Sequence, residues 1–592
     1  MATVIVKPQK NSVLSLLAGG LIAVFLLLIF FESSIKSPVF DEPPHLASGL
    51  YYLEKGEFRA NPQHPPLLKE MSAVALLLGG IHWPKTHGGE WSIGNSIIAE
   101  NGPGRVMFWA RLPFILVASL LGVLIYVWGR QMIGALAAVG AVFLYVLDPT
   151  VLAHSFLVTT DVGLAAFSVL FVFAIWNYVR RPTLNRLLLC GLAMGAVMGT
   201  KFSALFLVPV APLLLAVAVF WPVEQGPGRK PTFLDPYWPS TRLPPVGRVA
   251  SCACAFLAMC VVAVVVIQAL YFSPNGPLLY LRGLRQVNAD HVQGYQYFMA
   301  GKTAKHFWSY FAVAYLLKEP IASIILVGIG LVTLIRSRTI TPIRKLFLVL
   351  PPAALFAGYT IFADACGFRY VIPVLPFAYL IGGLGLATLM QNGRKWGGYA
   401  AGGLCAWMIL AAAGVYPDHL SYFNEAACLR TPSQIGIDGG TRCGPLWLDD
   451  SNVDWGQGLK QLRAWADRNA QGRVVRLAYM GSFSPASTQS SSDLMRALYG
   501  LAYESIGLAE LMRDDPAPGL YVVSAHLLAR TLAYGGANAW VWRTRPVAIV
   551  GHSFYVYDIP PGFGSAGSPQ NAAPVPVTQK VRDDSAMVRR TP

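Results

Sequence analysis

The chain has 592 residues, of which 54% are hydrophobic and 13% charged, with a formal net charge of +16. A water-soluble fold of this length carries about twice that share of charge, so composition excludes an ordinary soluble protein. The basic excess would suit a nucleic-acid binder, but its distribution along the chain argues against one.

Apolar runs long enough, or nearly so, to cross a hydrocarbon core of about 30 Å recur from residue 13 onward. Taken in order they predict helices near 13–31, 108–127, 131–148, 158–178, 187–200, 202–221, 250–272, 319–335, 346–363, 371–390 and 396–415. The first run follows Lys7 and Lys10 but lacks a small-residue cleavage site, so it is expected to stay as an anchor. With the N-terminus placed inside, the short inner loops hold Arg130, Arg180, Arg181, Arg186, Arg229, Lys230, Arg242, Arg248, Arg336, Arg338, Arg344, Lys345, Arg394 and Lys395. Only Glu224 and Asp235 oppose them. That is the positive-inside pattern, so the charge reports topology. Eleven crossings then leave three features outside: the Phe40–Glu70 loop, a loop near 273–318, and everything after Val415.

After Tyr416 the pattern changes. Strands are predicted at 445–449, 474–479, 519–525 and 552–559, with helices near 456–469 and 492–513. The expected fold is therefore a polytopic α-helical membrane protein of about 11 transmembrane helices with a C-terminal soluble α/β domain. The domains expected are 1–415 in the membrane, 416–561 outside, and 562–592 as a disordered tail rich in Pro, Ala and Ser. Five of the eight cysteines lie in apolar spans, and no spacing fits a zinc site. Cys428 and Cys443 fall outside, where disulfides persist, and bracket a polar insert with no apolar face to hold it. A Cys428–Cys443 bond is predicted; closing a loop of about 15 residues is worth roughly 3 kcal/mol.

The Phe40–Glu70 loop carries the candidate chemistry: Asp41, Glu42, His45, His64 and Lys69 around Pro43–Pro44 and Pro65–Pro66. Asp41 and Glu42 have a plain reading as caps of a helix opening at the first proline pair. The second proline pair stiffens the segment, which suits a loop that must hold titratable groups in place. Asp161, after two threonines, is either a paired intramembrane acid or an N-cap.

The loop motifs "DEPPH", "GLYYLEKGEF" and "HPPL" resemble the first outer loop of GT-C glycosyltransferases. The closer likeness is to glycosyltransferase family 39, the protein O-mannosyltransferases and their bacterial relatives. "ARLP" (110–113), "TTD" (159–161), "GTKFSAL" (199–205), "YLLKEP" (315–320), "FRYVIPVLPF" (368–377), "YFNE" (422–425) and "DSNVDWGQGLK" (450–460) continue it in order. The resemblance implies transfer of a sugar from a polyprenyl-phosphate donor at the outer face of the inner membrane, with inversion and Asp41 as base. Glu42 would support Asp41, and Arg111, Arg369, His64, Lys201 and Lys69 are the candidates for the donor phosphate. The acceptor hydroxyl would belong to a protein, lipid or glycan. Related aminoarabinose transferases carry an acid and a lysine before their proline pair, the acid being linked to metal binding; Gln63 and His64 stand there in this chain, so a divalent metal would lack the anionic partner that could share it with Asp41.

"DSNVDWGQGLK" begins like a calcium loop but has Trp455 and Gln461 where an EF-hand needs Gly and Glu. Asp454 and Gln457 instead read as a capping box. Two rival classes remain at this stage, a transporter and a non-catalytic subunit of a membrane assembly. Against the first, no repeat symmetry or paired broken helices are visible in the sequence.

Overall fold

The computed structural model describes residues 11–84, 88–220, 245–289, 295–393, 395–481 and 500–563. The predicted tail from 564 onward lies outside them. Among the described residues, eight helices are long and apolar enough to cross a membrane: Ser12–Ile35, Pro103–Ile133, Asp161–Arg180, Phe202–Val219, Val246–Leu270, Pro342–Phe362, Phe368–Gln391 and Lys395–Val415. Tyr310–Lys318 and Ile321–Arg336 form a further, broken span bent by 112°. The break falls at Glu319–Pro320, where proline removes a backbone donor and pushes the preceding residue out of helical geometry. The shorter apolar helices Ala135–Leu147 and Leu184–Met198 fall at two more of the eleven positions where spans are expected.

Close packing of these helices uses small residues, as it must where lipid removes the hydrophobic drive between them. A Cβ on Gly330 would overlap the Ile381 carbonyl oxygen, so the helices Ile321–Arg336 and Leu375–Gln391 approach backbone to backbone. The outer loop folds as helices Glu42–Lys55, Leu67–Leu78 and Glu90–Glu100. The first two meet at Gly49, where a Cβ would overlap the Lys69 carbonyl oxygen.

Beyond the last span lies a five-stranded sheet. Its strands follow a hairpin, β1 (Tyr297–Met299) and β2 (Lys302–Ala304), and are β3 (Val475–Ala478), β4 (Tyr503–Ser505), β5 (Gly519–Ser524), β6 (Ala548–Val550) and β7 (Phe554–Ile559). The order is β4-β3-β5-β7-β6, with β4, β3 and β5 parallel and β7 antiparallel to both its neighbours. Helix Leu459–Asn469 buries Leu459, Leu462, Trp465 and Ala466, an i, i+3, i+6, i+7 stripe, in one apolar cluster with Leu477, Val522 and Phe554.

Three local expectations differ. Residues 445–449 are not a strand: Thr441–Leu446 is a 3-10 turn containing Pro445, whose missing N–H suits a turn better than a ladder. The predicted helix at 492–513 lies partly outside the described residues, and its remainder gives strand β4 and a single turn, Leu508–Leu511. Asp454 does not cap Leu459–Asn469, whose N-cap is Gly458; it accepts from Gly456 N at 3.0 Å and Ser524 Oγ at 2.5 Å instead. Cys428 and Cys443, both fully buried, are joined with Cα atoms 5.5 Å apart.

A charged cluster ties the sheet to the membrane helices. His552, on the β6–β7 turn, reaches Asp418 Oδ2 at 2.9 Å and Asp438 Oδ2 at 3.2 Å. Asp418 also pairs with Lys36, just past the first span, and accepts from Gln461 at 2.8 Å. Burial alone would lower the His552 pKa, but the hydrogen bonds and charges of the two carboxylates outweigh it and raise it to about 9. A histidine raised in the folded state stabilises fully below its unfolded value of about 6.5 and loses that contribution as pH climbs through about 9. The protonated bracket is therefore worth about 3 kcal/mol at pH 6. We expect His552→Gln to lower the unfolding temperature at pH 6 and the gap from wild type to close by pH 10, read by thermal unfolding in detergent.

Candidate active site

The neighbouring acids Asp41 and Glu42 do opposite things. Asp41 holds the N-cap position of Glu42–Lys55 but makes no side-chain cap; it pairs instead with Arg369 Nη1 at 2.7 Å, with 23% of its side chain exposed. Glu42 turns inward and is fully buried. It accepts from Val39 N at 2.9 Å, Val158 N at 3.0 Å, and from Arg111 Nε and Nη2 at 2.9 and 2.7 Å.

Arg111, expected to grip phosphate, is also fully buried. Besides Glu42, its guanidinium donates to the carbonyls of Ser33 at 2.7 Å, Lys36 at 3.2 Å and Ser37 at 3.0 Å. A guanidinium has five N–H groups, and these five acceptors use them all, so none is left for a ligand. Lys69 is likewise occupied. Its ammonium donates to Tyr52 Oη at 2.9 Å, Asn61 O at 2.5 Å and His64 O at 2.8 Å, which closes the loop on itself. Both residues build the site and neither lines it.

The cations that do line it are Arg369 and Lys201. Arg369 follows Gly367 at the start of the 3-10 turn Phe368–Val374. Its guanidinium lies 4.1 Å from the Trp455 ring centroid and 5.3 Å from that of Tyr370. Lys201 stands where Leu184–Met198 ends and Phe202–Leu207 begins; its Nζ is 4.3 Å from the Tyr370 centroid and 2.7 Å from Asp161 Oδ1. Asp161 opens its helix after the N-cap residue Thr160, so of the two readings it is the paired acid that fits. The result is a row: Asp41, Arg369, Tyr370, Lys201, Asp161.

Three histidines border this row. His64 is half-buried, its ring 5.1 Å from that of His45, and its Nδ1 has no partner among the described residues. Burial, then His45 and the cations Lys201, Lys69 and Arg369, hold its pKa well below the usual range. His45 shares a 2.9 Å hydrogen bond between Nδ1 and Val158 O, and burial takes it down to about 4. His154 is buried with Nδ1 unpartnered among the described residues, its ring 6.0 Å from Trp455, and burial takes it down to about 3. All three are neutral at pH 7, so His64 can offer a hydrogen bond but no charge. His154, Tyr370 and Trp455 were not among the residues expected from sequence; an ionisable side chain inside an apolar stretch was the available signal for the first. Among the described residues no group of three His, Cys, Asp or Glu side chains converges as metal ligands. Asp41 alone does not supply the several oxygen ligands that a hard cation takes.

The residues of the row come from the outer loop and the ends of the fourth, fifth and tenth spans, all of which an eleven-span topology puts on one face. With eight helices long and apolar enough to cross a membrane among the described residues, the fold is that of a multi-pass membrane protein. Residues 19–233 match the sequence model of the dolichyl-phosphate-mannose-protein mannosyltransferase family. Among solved structures it is similar to ArnT from Cupriavidus metallidurans bound to undecaprenyl phosphate, at 14% identity over 90% of this chain and 96% of that one, with a TM-score of 0.46. It is also similar to the oligosaccharyltransferase AglB from Archaeoglobus fulgidus in complex with an inhibitory peptide and a dolichol-phosphate. That likeness has 11% identity over 88% and 71% of the two chains and a TM-score of 0.41. No curated protein matches.

Arg111→Gln strips an acceptor-saturated cation from buried Glu42, an exchange that costs about 3–5 kcal/mol. The expected outcome is loss of folded protein on size-exclusion chromatography and a lower unfolding temperature. A well-folded variant with only a raised donor KM would return Arg111 to the phosphate site.

Proposed function

We propose that the chain transfers a sugar from a polyprenyl-phosphate donor to an acceptor hydroxyl at the outer face of the inner membrane, with inversion and with Asp41 as general base. The observation that carries this reading is the division of labour in the acidic pair: Glu42 is locked in the interior, while Asp41 is partly exposed and paired with Arg369. The family description supports a lipid-phosphate sugar donor.

In the proposed step the acceptor oxygen attacks the anomeric carbon as its proton passes to the Asp41 carboxylate. The bond from that carbon to the phosphate oxygen breaks, and its electron pair leaves with the phosphate. Arg369 and Lys201, set on either side of Tyr370, are placed to hold the growing negative charge, and neutral His64 adds a hydrogen bond. No acid is required at the leaving group, because a phosphate departs well as an anion. Asp161 keeps Lys201 charged and aimed in the absence of donor. Residues 1–415 are the catalytic membrane domain in this proposal, and 416–561 an extracytoplasmic domain on the acceptor side.

Release of polyprenyl phosphate from a labelled lipid-linked sugar tests the reaction. Asp41→Asn keeps the shape of the loop and removes the base, so turnover should fall by at least about 100-fold with the fold unchanged; near-normal turnover would remove the assignment. Arg369→Gln and Lys201→Gln should each raise donor KM or lower kcat by about tenfold or more, as expected for a cation opposite a developing anion. Unchanged kinetics in both would move the phosphate elsewhere.

A further inference from the structure

The turn Asp450–Asn452 straps the sheet-bearing region to the membrane helices. Asn452 Oδ1 accepts from Phe368 N at 2.9 Å and its Nδ2 donates to Tyr310 Oη at 2.9 Å. Ser451 Oγ donates to Cys366 O at 2.8 Å. On the other side His526 Nδ1 accepts the Asp450 N–H at 2.9 Å, and Asp449 faces Arg530 Nε at 2.5 Å. Anchoring is thus the work of Ser451, Asn452, Asp449 and the Asp450 backbone.

The Asp450 carboxylate takes no part in it. Among the described residues it accepts one hydrogen bond, from the adjacent Ser451 N–H at 2.6 Å. Yet it carries two costs. Its backbone sits at φ +55°, a left-handed conformation unfavourable to residues with a Cβ, and the residue is only 9% exposed. Burial pushes its carboxyl above the usual range, and Arg369 and Asp41 are prominent among the charges it feels. The Cys366–Phe368 backbone that the turn grips leads straight into Arg369, and Arg369 stacks on Trp455, five residues beyond Asp450. A strained, buried carboxylate with spare acceptor capacity, on a turn bonded to the backbone that leads into Arg369, is the profile of a residue kept for a ligand.

We propose that Asp450 is a substrate-recognition residue, whose carboxylate accepts a hydrogen bond from a sugar hydroxyl lying between the sheet-bearing region and the Asp41–Arg369 pair. The inference rests on the glycosyl-transfer reading above. A hydroxyl suits the position better than the donor phosphate, since an anion beside Asp450 would be repelled while a hydroxyl makes a charge-assisted bond. That hydroxyl belongs either to the donor sugar or to the acceptor.

Asp450→Asn separates these cases. Asparagine tolerates the left-handed backbone, can still accept from Ser451 N–H, and removes the buried charge. The variant should unfold at or above the wild-type temperature, while one KM rises by about tenfold or more. Polyprenyl-phosphate mannose serves as the donor probe and a threonine-containing peptide as the acceptor probe, with direct donor binding measured alongside. A shift in donor KM and binding places the hydroxyl on the donor sugar; a shift in acceptor KM alone places it on the acceptor. Unchanged values for both, or a fall in unfolding temperature that accounts for lost activity, overturns the proposal. Asp450→Gly, which also fits the backbone, should reproduce the same KM shift. Normal turnover in Asp41→Asn together with a KM shift in Asp450→Asn would remove the base and keep this assignment. An inactive Asp41→Asn with an unaffected Asp450→Asn would remove this assignment alone.

Discussion

The buried contact between Glu42 and Arg111 is what the rest of the site depends on. Two opposite charges in a dry interior are costly to bring together, and they persist only where every lone pair and N–H is used. Here they are: the pair gathers the backbone of Ser33, Lys36, Ser37, Val39 and Val158 around itself. The outer end of the first span, the start of the second and the approach to the fourth are thereby fixed relative to one another. Asp41 is one residue away from this anchor, so its direction is inherited from it. An ion pair of this kind is a device for geometry more than for stability, and the residue it orients is the one that meets the cleft.

The electrostatics of the row follow from burial. With His45, His64 and His154 all kept neutral, the positive charges of the row are Arg369 and Lys201, each matched by one carboxylate. Such a site is balanced when empty. In the proposed reaction a lipid phosphate would compete with Asp41 and Asp161 for the same two cations, and the carboxylate it displaces from Arg369 is the one proposed to take the acceptor's proton.

Much of the fold was legible because lipid allows so few solutions. Backbone groups in a bilayer must be satisfied within a helix, so each apolar run between basic loops became a helix, including the two short ones and the run interrupted by Pro320. The motifs in the outer loop drew attention to Asp41 and Glu42 for the same reason that acids near a membrane always do. What could not be read was which way each side chain turns. Arg111 and Arg369 look alike as basic residues at helix ends. Only three carbonyls at the outer end of the first span, those of Ser33, Lys36 and Ser37, distinguish a saturated guanidinium from an available one. Backbone carbonyls have no sequence signature. Asp454 and Gln457 have the spacing of a capping box, yet tertiary partners on β5 and within the turn claimed Asp454. β6 is three residues long, too short for alternation to register.

The helix Leu184–Met198 has a consequence for the lipid around it. Its 15 residues span about 22 Å, several ångströms less than the hydrocarbon layer. On an eleven-span topology with Leu184 at the inner surface, Lys201 and the Asp161 it pairs with would sit below the usual headgroup level, and the bilayer would dip to meet them or leave a polar dimple beside the protein. In the proposed reaction a lipid-linked donor moving sideways through the leaflet would then reach Lys201 without being lifted out of the membrane, its isoprenoid tail remaining in oil while its phosphate enters that depression.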